Sequence, residues 1–211
     1  MKLFDFVNKI PRPSVVMITG RRGSGKDVTA VALAEEIHSL TGKRIVSSYN
    51  PQQNKLPKYW EMRGFSWKEN SITLISDAEL ELFSRDWHQQ PHKAYIEVAA
   101  VSRHKDIDFI HTTQTSTLMD KESVVQLDVL MFKEPSALAD RFERPEIRDL
   151  VEEAKSKFPD TLSQRAKWET AYAYTHTGSY LITDIKKPPY WNDSMSKMFG
   201  ADQQPFWRKL W

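Results

Sequence analysis

The chain has no cysteine, which excludes disulfides and thiolate metal sites and suits a reducing compartment. It also lacks long apolar runs. The longest are the length of strands, and charges interrupt Leu3, Phe4, Phe6 and Val7 near the start, so neither a transmembrane helix nor a secretory leader is expected. An excess of one charge is missing as well: 27% of residues are charged, yet the formal sum is only +2. No overall field therefore selects nucleic acid or a membrane, and any basic surface must be local. A length of 211 residues suits one well-buried α/β domain with additions. The expected division is a domain over residues 1–186 and a tail over 187–211 that is rich in aromatics, among them Trp191, Phe199, Phe206, Trp207 and Trp211. The tail is expected to pack on its own domain or on a neighbouring subunit.

Glycine is scarce, at seven residues, and three of these stand at 20, 23 and 25 in Gly20-Arg21-Arg22-Gly23-Ser24-Gly25-Lys26-Asp27. The stretch fits G-x-x-x-x-G-K-[ST] except at its last position, where Asp27 replaces Ser or Thr. The apolar run Val15 to Thr19 precedes it, and a helical pattern from Asp27 to Leu40 follows. A strand, a glycine-rich turn and a helix N-terminus converge backbone N–H groups on phosphate oxygens, and Lys26 can reach the β and γ phosphates as a point charge. The residues expected to hold nucleotide are Gly20, Arg21, Arg22, Gly23, Ser24, Gly25, Lys26, Asp27 and Val28. Asp27 could hold Mg²⁺ through a water or cap the helix.

Residues before Pro13 read as a short lead-in, and Arg44 to Ser48 as a second strand. From Tyr49 to Asn70, Pro51, Pro57 and Gly64 break a segment in which Lys55, Lys58, Tyr59, Trp60, Arg63, Trp67 and Lys68 interleave. Such a segment suits either a nucleic-acid contact or a surface excursion packed on the core. Ile72 to Asp77 is a strand with an acidic end, where Asp77 can hold Mg²⁺ or cap a following helix; Glu79 and Glu81 are the nearby carboxylates for polarising water. His88 and His92, with Pro91 between them and no third partner, read as loop histidines. Residues 94–101 and 116–125 read as helices. Ile107 to Gln114 is a strand whose Thr112, Thr113 and Gln114 should share an edge with Lys26 and Asp77, placing Gln114 to orient a water or sense the γ phosphate. Val129 to Phe132 is a fifth strand, residues 146–158 a solvated helix, and residues 170–185 an antiparallel hairpin about Thr177-Gly178.

The phosphate loop, the strand ending in Asp77, Ser102-Arg103-His104, the strand closing with Thr112-Thr113-Gln114, and Leu127 to Phe132 resemble, in that order, the FtsK–HerA superfamily of P-loop ATPases. Within it they are most similar to the genome-packaging ATPases of tailless icosahedral internal-membrane viruses, archaeal ones especially, and Zot-like ATPases are also similar. The resemblance implies an α/β P-loop NTPase fold, a three-layer sandwich around a mostly parallel sheet, with the Thr112-Thr113-Gln114 strand lying between the Asp77 strand and the phosphate-loop strand. It implies ATP and Mg²⁺ as cofactors, and a pentameric or hexameric ring that moves double-stranded DNA. A capsid vertex or membrane protein of a virion would be a further partner, and the cytoplasm of the host cell the location. The site it implies comprises Lys26, Asp77, Glu79 and Gln114, with Arg103 as first candidate for an arginine given to the neighbouring subunit, ahead of Arg85, Arg141 and Arg144. Two other readings stay open on the residues alone. One is a nucleoside monophosphate kinase, suggested by Gly25-Lys26-Asp27, with Arg141, Arg144 and Arg148 as a lid. The other is a nucleotide-binding assembly factor with little turnover, suggested by Asp27 together with Ala78.

Overall fold

The computed structural model describes residues 1–47, 56–62, 68–76, 101–114, 125–136, 139, 143 and 145–191. Its centre is β1 (Val15–Thr19), buried along its whole length. Val16 and Ile18 face one side of the sheet, Val15 and Met17 the other. A strand buried on both faces belongs in a parallel sheet covered by helices. The remaining parallel strands are β2 (Arg44–Ser47), β3 (Trp60–Met62), β4 (Ser71–Ile75), β5 (Ile107–Thr113) and β6 (Val129–Phe132). An antiparallel hairpin, β7 (Ala171–Thr175) and β8 (Gly178–Ile182), extends the sheet beyond β6. The strand order is β3-β2-β4-β5-β1-β6-β7-β8, so β5 lies between β4 and β1 as the resemblance implies.

On the Val16 face, α1 (Leu3–Val7) and α2 (Lys26–Thr41) bury Phe6, Val31, Leu33 and Ile37 against the strands. Gly42, at φ +71, ends α2 by returning its N–H to the carbonyl of His38 at 2.7 Å. The other face is covered by α3 (Pro145–Ser156), whose Ile147, Val151 and Ala154 recur at helical spacing and meet Phe109, Phe132 and Tyr172. A short α4 (Gln164–Trp168), capped by Ser163, leads into β7.

Three expectations change. The opening residues are more than a lead-in: Leu3, Phe6 and Val7 of α1 are core residues, and the N-terminal amine donates to the carbonyl of Leu181 at 2.7 Å. The segment before Asn70 contains a sixth parallel strand, β3, which makes Val129–Phe132 the sixth strand in chain order rather than the fifth. Beside β3, Tyr59 Oη and Trp60 Nε1 both donate to the Glu35 carboxylate, at 2.7 and 2.8 Å, and Lys68 donates to Glu61. Tyr59 and Trp60 are thereby committed to the domain, as the packed-excursion reading has it; Lys55, Arg63 and Trp67 lie outside the described residues. The charge-dense helix α3 is amphipathic, because its acidic and basic residues occupy one face while the other is buried. Tyr190 also donates to Glu35, so the start of the tail packs on the domain; residues 192–211 lie outside the described residues.

Candidate active site

At the carboxyl end of β1 the chain turns through Gly20 at φ +155 and reaches α2 through Gly25 at φ +87. Both angles lie where a side chain is strained. A Cβ at Gly20 would stand 2.8 Å from the Cβ of Lys133, so the loop and the end of β6 approach as closely as backbone allows. The first N–H groups of α2, at Lys26, Asp27 and Val28, have no acceptor within the helix, and the helix dipole adds partial positive charge there. The Lys26 side chain is drawn in to 6% exposure. Ser24 is 1% exposed, and its hydroxyl has no hydrogen-bond partner among the described residues. A buried hydroxyl left unsatisfied inside a ring of N–H groups fits a phosphate oxygen, which would accept from both.

Asp27 reaches across to the strand ends. Its Oδ1 accepts from Ser76 Oγ at 3.0 Å and from Thr112 Oγ1 at 3.1 Å, which ties the first turn of α2 to β4 and β5. An anionic oxygen held among hydroxyls is the hard donor set that Mg²⁺ takes, so the residues present fit that ion.

Beyond β6, Glu134 joins the loop to α4. Its carboxylate accepts from Arg21 at 2.5 Å and from Lys167 at 2.7 Å. Burial alone would raise this carboxyl, but the bonds from Lys167 and Arg21 outweigh it and hold the group below the usual carboxylate range. Lys133, the residue before it, is fully buried and donates to the carbonyls of Trp168 at 2.7 Å and Thr170 at 2.5 Å. Burial lowers its pKa from 10.5 to about 7. Between those values the unfolded chain still holds the proton that the folded chain has shed, so the stability of the fold rises with pH across this window. Denaturant midpoints measured from pH 6 to pH 9 should show that rise, and Lys133→Met should flatten it.

A cavity of about 300 Å³ opens at the same edge, lined in part by Gly20, Arg21, Arg22, Gln114, Ser136 and Glu143. The pairing of Thr19 with Thr113 sets Gln114 beside Gly20.

No family model and no curated protein matches this sequence. Solved structures do match in fold. The genome packaging NTPase B204 of Sulfolobus turreted icosahedral virus 2, in complex with sulfate, superposes with a TM-score of 0.60 at 14% identity, over 83% of this chain and 98% of that one. Its complex with ATPγS gives 0.56 at 14% identity, over 82% and 98%. The fold is the one these B204 NTPase structures have. The pCW3 conjugation coupling protein TcpA, with ATPγS, shares it at a TM-score of 0.55 and 11% identity, over 83% of this chain and 61% of that one.

Within this fold, the nine residues from Gly20 to Val28 named from sequence form one continuous loop and helix start, and Gln114 joins them at the cavity. Arg103 does not. It precedes β5, at the amino edge of the sheet and away from the phosphate loop, where it pairs with Asp128 at 2.9 Å and remains 68% exposed. Asp77, Ala78, Glu79, Glu81, Arg85, His88, His92, Arg141, Arg144 and, save for their last residues, the helices expected over 94–101 and 116–125 lie outside the described residues. The sequence reading missed Lys133, Glu134 and Trp168. A lysine directly after an all-apolar strand was a usable signal for the first, since that position falls at the ligand edge of a parallel sheet. Nothing in the sequence marked Trp168.

Proposed function

We propose that this chain is an ATP-hydrolysing motor that packages viral double-stranded DNA into a preformed capsid, working as a ring of identical subunits. In this reading it acts in the cytoplasm of the host cell and meets a capsid vertex or membrane protein of the virion. The observation that carries the reading is the phosphate loop itself: a buried lysine, an unsatisfied buried serine hydroxyl and the first turn of α2 follow one another in a loop whose start shares a cavity with Gln114, the residue after β5. The B204 complexes with ATPγS and sulfate support it by analogy of fold.

In the proposed site the N–H groups of the loop and α2 bind the β and γ phosphates, and Lys26 offsets charge that develops between them. Asp27 and Asp77 would hold Mg²⁺, which when bound polarises the phosphate oxygens. The hydroxyls of Ser76 and Thr112 fix the Asp27 carboxylate, and Ser76 immediately precedes Asp77 in the chain. Gln114 orients the attacking water, with Glu79 as the carboxylate that polarises it. Arg103, at the amino edge, would serve the site of a neighbouring subunit, where it would neutralise charge on the γ phosphate.

Phosphate release from ATP, followed with and without linear double-stranded DNA, tests the motor. DNA should raise the rate severalfold. A rate indifferent to DNA, or efficient transfer of phosphate to a nucleoside monophosphate, would overturn the reading.

A further inference from the structure

Trp168 is one of five large apolar side chains that stand exposed among the described residues. Unlike Phe4, Leu40, Val125 or Leu181, it touches the phosphate loop. Its Nε1 donates to the carbonyl of Gly23 at 3.0 Å, and its Cδ1 lies 3.7 Å from where a Cβ would sit on Gly25. The backbone beneath it is fixed too, since its carbonyl accepts from the buried Lys133 and the preceding Lys167 is paired with Glu134. The ring is held by its N–H edge and its backbone, yet 49% of the residue remains open to solvent.

An indole needs neither that exposure nor that attachment to fill a core. The N–H groups of Lys26, Asp27 and Val28 that would take the phosphates begin directly after Gly25, which the indole contacts. A nucleoside extending from phosphates held at that turn would have Trp168 within reach as a preset aromatic surface. We infer that the Trp168 indole is the surface on which the base of the bound nucleotide stacks, and that it makes the site selective for purine nucleoside triphosphates. Every base has a π face, but purines overlap an indole over a larger area than pyrimidines do. The inference rests on the reading of Gly20 to Val28 as a nucleotide phosphate site.

Titration of the full chain with ATP, GTP, CTP and inorganic tripolyphosphate, each with Mg²⁺, separates the two. The wild type should bind ATP and GTP more tightly than CTP, and CTP more tightly than tripolyphosphate. Trp168→Ala should weaken ATP by about tenfold or more and leave tripolyphosphate unchanged. Trp168→Phe, which keeps a ring and loses the bond to Gly23, should retain most of the ATP affinity. Equal weakening of ATP and tripolyphosphate in Trp168→Ala would make the indole a clamp on the loop and overturn the inference, as would wild-type affinities that do not depend on the base. Failure of the wild type to bind tripolyphosphate and ATP alike would overturn the phosphate-site reading beneath it.

Discussion

Lys26→Ala is expected to lower multiple-turnover phosphate release from ATP by about 100- to 1,000-fold. The ammonium is drawn into the loop to 6% exposure, where little water screens it and where charge develops on the oxygen between the β and γ phosphates as that bond breaks. A cation preset at that point acts on the transition state more than on bound ATP, so the rate should fall further than the affinity. Stability should not fall with it. Bringing a lysine out of water costs free energy, and alanine is a good helix former at the first position of α2, so the melting temperature of Lys26→Ala should equal or exceed that of the wild type. Lys26→Arg should not restore the rate, because the guanidinium is larger and planar and the loop closes around a compact ammonium. Loss of rate together with loss of melting temperature would assign Lys26 to the fold.

Gly20→Ala should be the most damaging of the loop substitutions to the fold. The added Cβ would meet Lys133 Cβ at 2.8 Å, Ser24 Oγ at 3.0 Å and the carbonyl carbon of Lys133 at 3.3 Å. Lys133 has little freedom to yield, since its N–H donates to the carbonyl of Thr19 at 2.8 Å and its amine to Trp168 and Thr170. The backbone angle of +155° adds strain for any residue with a side chain. Together these should cost about 3 kcal/mol, which for a chain of this size lowers the melting temperature by about 6–12 °C. Gly23→Ala is the matched comparison. Its φ of +76 is also unfavourable, but a Cβ there meets nothing within 4 Å, so its cost should be near 1 kcal/mol. Equal costs at the two positions would show that close packing between the loop and β6 contributes nothing.

The strand, loop and start of α2 were legible in the sequence because each carries its own signal: a strand-length apolar run, glycines at fixed offsets before a lysine, and residues at helical spacing. The hairpin β7–β8 was legible from its alternation about Thr177-Gly178. The place of β5 between β4 and β1 was not in any local pattern and came from the resemblance. Five-residue α1 and three-residue β3 are too short to show a period, and tertiary burial of Phe6 and Trp60 decides them. At the site, Lys26 and Gln114 followed from motif and strand end. The partners of Asp27 sit just after β4 and within β5, and Trp168 meets Gly23 across 145 positions of chain. Such contacts exist only once the sheet order is set, so composition and spacing could not announce them. Asp27 is the clearest case: read alone it is an anomaly in a common motif, whereas in the fold it is the carboxylate that joins the loop to β4 and β5.

The central claim is that this phosphate loop binds ATP and turns it over. A time course of inorganic phosphate release by the wild-type chain with Mg²⁺ and ATP in large excess tests it most directly. Linear release through many turnovers, abolished by Lys26→Ala, is the result the account predicts. A single bound ATP per chain that is held without release of phosphate would contradict it and leave the protein a nucleotide-binding scaffold.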